Sequence, residues 1–174
     1  MARIDLDSLL AVAVEIVDSA GPAELTLSNV AAGLGVRPSA LYTHVDGVDG
    51  LRDVVAERAR ANLAQSVQTS AVGVAGADAV ASIAVAYREF AHRYPGQYRV
   101  SLTTAAPEAP NHTPIGDVLQ AVFVAGGLTS SEATSAAMSA HASLHGFVSM
   151  EASGSQIDDE HFSHLIELLS GMCA

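Results

Sequence analysis

Within residues 37–44, Arg37, Ser39, Ala40, Thr43 and His44 share the outer side of the helix that this stretch would form, while Leu41 and Val45 point inward at i and i+4. The outward set has the chemistry of a nucleic-acid reader. An arginine can grip the O6 and N7 of guanine with two parallel hydrogen bonds, and Arg37 is the one side chain of the set able to do so. Thr26 and Ser28, at the start of an upstream helix, add hydroxyls where backbone amides already favour a phosphate.

Such a set works only if two short helices hold it at a fixed angle. Val30, Ala31 and Leu34 give the first helix one apolar face, and Thr26 or Ser28 can cap its amides. Gly35 can adopt the left-handed conformation that ends this helix, and Pro38 suits the first turn of the next. The spacing predicts a helix-turn-helix over Thr26–Val45; on turn geometry alone an ordinary helical hairpin is the alternative.

Around this hairpin the whole chain reads as helix. An amphipathic helix is expected from about Asp5 to Ala20, ended by Gly21-Pro22. Asp46-Gly47 opens a longer helix to about Val67, with Asp49 in its positive first turn. Gln68–Ala77 is expected to be a loop, followed by helices over Asp78–Arg93 and Gln97–Leu102, then by a proline-rich loop from Thr104 to Pro114. Helical spacing resumes over Ile115–Val124, Ser130–Ala152 and Asp158–Met172. No strand pattern competes, so the fold class is all-α.

The chain has 174 residues, 49% of them hydrophobic, enough for a proper core in one or two small domains. Its mean hydropathy of +0.31 comes from alanine and valine at helical spacing. No run of some 18 apolar residues exists and the N-terminus carries acids where a secretion signal is basic, so a cytoplasmic protein off the membrane is expected. The single cysteine, Cys173, forms no internal disulfide and is expected to be inert. Charge runs against nucleic acid: eight arginines, no lysine and 19 acids give −11, and residues 1–60 alone carry five arginines against nine acids, a net of −4. DNA binding therefore requires the acids to lie away from the duplex.

Leu34-Gly35-Val36, Ala40-Leu41-Tyr42, His44-Val45 and Leu51, with the upstream helix of Leu6, Leu9, Leu10, Ala13, Val14, Ile16 and Val17, resemble the DNA-binding segment of the TetR family of repressors. The stretches AVAYREFAHRYPGQYRV and HASLHGFVSME look like the regulatory domain of a TetR subgroup named for a Trp-His-Gly motif; His145-Gly146 matches, and His141 stands where the tryptophan is usual. The resemblance implies a reader domain over residues 1–50, with a connecting helix from about 47, and a ligand-binding and dimerisation domain over 51–174. It puts Arg37, Pro38, Ser39, Ala40, Thr43 and His44 in the major groove of double-stranded operator DNA and makes Tyr42 a phosphate contact, for which partial core packing is the alternative. Val48 stands where many relatives carry a phosphate-binding lysine.

The resemblance also implies a homodimer through helices 130–152 and 158–172, and a small-molecule effector in the C-terminal part. Ala133, Ala136, Ala137 and Ala140 offer a smooth face for a closely approaching helix, from a symmetry mate or from the same chain. Tyr87, Phe90, Tyr94, Tyr98, Phe123, Met138, His141, His145 and Phe147 are candidates to line an apolar cavity with a few polar handles; core packing is the alternative for each. His141/His145 and His161/His164 have the i, i+4 and i, i+3 spacings of metal ligands, but neither pair has a third ligand, so no metal and no cofactor are expected. Gly33-x-Gly35 lacks a third glycine and a preceding strand, and no Gly-x-Ser-x-Gly elbow occurs, so an enzyme is not expected. The competing function is a sensor or protein-interaction module of the same fold with weakened or lost DNA binding, which the acidic reader favours.

Overall fold

The computed structural model describes residues 5–103 and 114–173. These residues are helical with no strand among them, in two compact units. The expected loop from Thr104 lies outside the described residues except for Pro114, which starts a helix.

The first unit takes the described chain up to Asn62 together with residues 92–103. It contains α1 (Leu6–Ala20), α2 (Leu27–Leu34), a 3-10 helix (Pro38–Thr43), the first part of α3 (Gly47–Ser70) and the short α5 (Pro95–Ser101). Asp5 and Ser8 form a capping box at the start of α1, and the helix ends at Gly21. Leu9, Leu10, Ala13 and Val17 project from α1 into one core with Leu25, Val30, Ala31, Leu41, Val45, Leu51, Val55, Ala56 and Val100. The i, i+3, i+4 stripes read in the sequence are the faces that close this core. Here α1 and α2 come so close that a Cβ on Gly33 would stand 2.5 Å from Cγ1 of Val12.

The second unit holds the end of α3 from Leu63, α4 (Gly76–Arg93) up to Ala91, α6 (Pro114–Ala125), α7 (Ser130–Ala152) and α8 (Asp159–Ser170). Capping boxes start α7, from Thr129 to Glu132, and α8, from Asp158 to His161. The expected loop over 68–77 is shorter, because α3 continues to Ser70: nothing before Gly73 breaks a helix, and Thr69 and Ser70 fold their hydroxyls back onto the carbonyls of Gln65 and Val67.

The alanine face of α7 turns inward. Ala133, Ala136, Ala137 and Ala140 are buried within this chain, where α6 lies along α7 and Gln120 donates to Thr134 Oγ1 at 2.8 Å. Of the two readings of that face, a symmetry mate and the same chain, this chain's own helices occupy it. Arg88 of α4 ties α7 and α8 together. Its guanidinium forks onto Glu151 (2.6 Å from Nη2 to Oε1, 2.9 Å from Nε), reaches Asp159 at 2.8 Å, and stacks 4.5 Å from the Phe162 ring centroid. This largely buried ion pair carries no local signal in the sequence, because Glu151 lies 63 residues from Arg88. Burial pushes the half-buried Cys173 thiol above its usual pKa, which disfavours the reactive thiolate.

Candidate nucleic-acid interface

Thr26 is the N-cap of α2: its hydroxyl accepts the Asn29 amide at 3.1 Å, leaving the hydroxyl's own proton for an outside acceptor. Ser28 is exposed in the first turn of the same helix. At the other end Gly35 sits at φ 68°, ψ 31°, with Val36 N–H bonding Ala31 O at 2.9 Å and Gly35 N–H bonding Ala32 O at 3.1 Å. This is a Schellman ending, and it reverses the chain within two residues.

The second member of the pair is a 3-10 helix. Ala40 N–H reaches back to Arg37 O, and His44 and Val45 N–H both reach Leu41 O, at 2.9–3.0 Å. Pro38 at its first position brings no amide, and six residues give little room for a full α-helical ladder. Leu41 and Val45 are buried as their spacing predicts; Arg37, Pro38, Ser39, Tyr42 and Thr43 are exposed, with Ala40 and His44 half-buried. Tyr42 is 61% exposed, so core packing does not account for it. Thr43 donates its hydroxyl to Ala40 O at 3.0 Å and therefore offers lone pairs outward.

The distribution of charge around this surface bears on the acidic balance. Asp5 caps α1, Asp7 pairs with Arg58 at 2.6 Å, Glu24 is held by the Asn29 amide, and Asp49 pairs with Arg52 at 3.2 Å. Hydrogen bonds from the Ser8 backbone and hydroxyl hold Asp5 below the usual carboxylate pKa. Arg60 donates to Ser101 O at 3.2 Å. Among the described arginines of residues 1–60, Arg37 alone makes no hydrogen bond or ion pair, and it stands at the mouth of the hairpin.

The candidate ligand residues are divided between the two units. Tyr94 and Tyr98 belong to the first unit, where Tyr98 is buried. Tyr87, Phe90, Phe123, His141 and His145 belong to the second. Tyr87, Phe90 and Phe123 are buried, and the Tyr87 ring stands edge-on to His141 with centroids 5.8 Å apart. Burial, with a smaller push from His145, lowers the His141 pKa, which favours an imidazole that both donates and accepts. Phe147 packs on Phe162 beneath Arg88. Met138 is 52% exposed, so within this chain it lines no enclosed space. An apolar groove of about 290 Å³ in the second unit is lined by Val72, Val74, Ala79, Val118, Ala121 and Val122, among others, and by none of the candidates. Among the described residues no group of three or more potential metal ligands is gathered, and no helix is long and apolar enough to cross a membrane.

Comparison with known proteins converges on one family. The model of the tetracyclin repressor-like C-terminal domain matches residues 80–169. The chain is 33% identical over 181 residues to the HTH-type transcriptional regulator Rv0681 of Mycobacterium tuberculosis, covering 98% of this chain and 83% of that protein. Among solved structures, BioQ with its double-stranded DNA operator matches at a TM-score of 0.71 with 22% identity over 97% of this chain and 99% of that one. A TetR variant from Acinetobacter baumannii AYE in complex with minocycline matches at 0.71 with 20% identity over 98% and 95%. A regulatory-domain match across half the chain and a regulator aligned along nearly all of it agree with the capped hairpin, and the chain belongs to the TetR family of transcriptional regulators.

Proposed function

We infer that the chain binds a palindromic operator duplex as a homodimer and is released by a small-molecule effector, so that it acts as a repressor. The observation that carries this reading is the Arg37–His44 surface, exposed, rigidly capped and holding the uncommitted Arg37 guanidinium. Arg37 supplies the guanine contact; Tyr42, Thr26 and Ser28 hold phosphates, with Pro38, Ser39, Ala40, Thr43 and His44 completing the groove face. BioQ, a structural neighbour, has been solved on its operator, which supports the same use of this fold.

The reader falls within residues 1–50, and the remainder dimerises and senses. Since the alanine face of α7 is occupied, the partner's helices meet a different face, on which Met138, Ala142 and Leu168 are exposed and His145, Ser149 and Leu165 half-exposed. Two such readers engage half-sites about 34–36 Å apart, one turn of DNA. The effector contacts the Tyr87–His141 edge, with Phe90 beside Tyr87 on α4, His145 beside His141 on α7, and Phe123 on α6; the minocycline-bound neighbour supports effector binding in this fold. Effector binding favours the dimer whose readers no longer match that spacing.

A gel shift with the chain's own upstream DNA in dilute salt tests this, with Arg37→Ala as the control. Binding by the parent and loss in the variant are expected; no shift by the parent on any upstream fragment refutes it. The net charge of residues 1–60 and Val48 in place of a lysine favour the second reading, a sensor that has lost its operator.

A further inference from the structure

A cleft of about 550 Å³ opens within the first unit, where the 3-10 turn Pro22–Glu24, the first two turns of α3 and the end of α5 meet. Its size is that of a small-molecule site. Leu25 and Val100, both members of the unit's core, form the floor, and Pro22 stands at its side.

The polar part of the lining is made of groups that accept hydrogen bonds. Asp53 is exposed and, among the described residues, makes no hydrogen bond or ion pair. Thr103 gives its hydroxyl proton to Val100 O at 2.8 Å, so toward a ligand it can only accept. Asp49 accepts from Arg52 at 3.2 Å, which commits the guanidinium of the lining to a neighbour on its own helix. Two carboxylates stand against one guanidinium, and the cleft is net negative.

That lining selects its occupant. A metal ion needs several ligands close together, and no group of three or more is gathered among the described residues; it would also leave the apolar floor unused. An anion meets a net negative wall whose arginine is already bound. A neutral apolar molecule covers the floor and leaves the Asp53 carboxylate without a donor. A small organic cation suits both parts, since its body covers Leu25, Val100 and Pro22 while its N–H groups reach carboxylates with acceptor capacity to fill. We propose that this cleft binds a small organic cation, an amidinium or primary ammonium on a compact apolar body, through Asp53. The site is separate from the Tyr87–His141 edge, which belongs to the second unit, and it is measurable without DNA, so it stands or falls apart from the regulator reading.

The test is a titration of the isotope-labelled full chain with benzamidine, in neutral buffer of low ionic strength, read by amide chemical shifts. Saturable shifts at Leu25, Asp53 and Thr103 are expected, with a dissociation constant on the order of 1 mM. Benzyl alcohol and benzoate, the neutral and anionic counterparts, are expected to bind at least about fivefold more weakly. Asp53→Asn is expected to weaken benzamidine about five- to tenfold. Glu57→Gln removes the same charge one turn further along α3, outside the lining, and is expected to change affinity by less than about twofold. Both side chains are exposed, so neither variant disturbs the core. Arg52→Gln releases Asp49 and is expected to leave affinity unchanged or to raise it by up to about threefold. The proposal is overturned by the absence of saturable shifts at those amides up to about 10 mM benzamidine. It is equally overturned by benzyl alcohol or benzoate binding as tightly, by equal losses in Asp53→Asn and Glu57→Gln, or by loss of binding in Arg52→Gln.

Discussion

Replacing Gly96 by alanine isolates the closest approach in the first unit. Gly96 does not have a positive φ, so its requirement is for space and not for a special backbone conformation. The added methyl meets Val17 O, Val17 C and Asp18 N, all backbone atoms that cannot swing aside. Overpacking of this kind costs about 1–3 kcal/mol. If α5 retreats instead, the two bonds from Gln97 to the Asp18 carboxylate lengthen, and each hydrogen bond to a charged group is worth about 1.5–3 kcal/mol. Against this, alanine gains up to about 1 kcal/mol over glycine in a helix. The net expectation is a loss of about 2–4 kcal/mol, a drop in melting temperature of roughly 5–15 °C for a chain of this size. Calorimetry reads it, with Gly146→Ala as the matched control. Gly146 lies within α7 with nothing inside 4 Å of a built Cβ, so the same chemical change is expected to be neutral or to raise stability by up to about 1 kcal/mol. An unchanged or raised melting temperature for Gly96→Ala would refute the close-packing argument.

Other outcomes follow from the same geometry. Gly35→Ala has open space but a left-handed φ of 68°, so a loss of about 1 kcal/mol is expected in chemical denaturation, together with weaker DNA binding. Arg37→Ala is expected to cost about 1–3 kcal/mol at one guanine of each half-site, read as flattened preference there in a base-substitution series. With about 4–6 phosphate contacts per dimer, the log K against log salt slope is expected near −4 to −5, and a slope steeper than about −8 would contradict so sparse a set of anchors. Because burial lowers the His141 pKa below its unfolded value near 6.5, the unfolded chain binds the proton more readily. Stability is therefore full above about pH 6.5 and declines as pH falls toward the folded pKa, and His141→Gln is expected to remove that decline from the pH dependence of unfolding.

The sequence discloses what is local. Asp5, Thr26 and Asp158 announce helix starts because a cap acts within three residues of itself, and Gly35 announces the turn because its conformation is its own. The reader face is legible for the same reason, since Leu41 and Val45 mark the inner side. What stayed hidden depends on partners far away in the chain. The expected short helix starts at Gln97, yet Pro95 opens α5, and Gly96 is required by Val17, 79 residues earlier. Asp18, Asn62 and Gln97 carry no mutual spacing signal, and the hydrogen bonds from Asn62 Nδ2 to Gln97 Oε1 at 2.6 Å and from Gln97 Nε2 to Asp18 Oδ2 at 2.7 Å form only when α1, α3 and α5 are brought together. The alanines of α7 declare that a helix comes near without declaring whose it is. The candidate ligand residues share aromatic, imidazole or thioether chemistry, and residue type does not separate Tyr98, in one unit, from Tyr87, in the other.

In the groove contact proposed above, the winding of the Pro38–Thr43 segment sets how far the reader scans along the duplex. At three residues per turn its side chains stand in upright files, Ser39 under Tyr42 and Ala40 under Thr43, where α-helical winding would fan them apart. Six residues at a rise of ~2.0 Å extend ~12 Å, against ~9 Å in an α-helix, so the tip is longer and narrower. A tip of that form samples more steps of the duplex while touching fewer edges at each. Sequence discrimination then leans on a few strong grips, and tolerance of base changes between them follows from the shape of the tip itself.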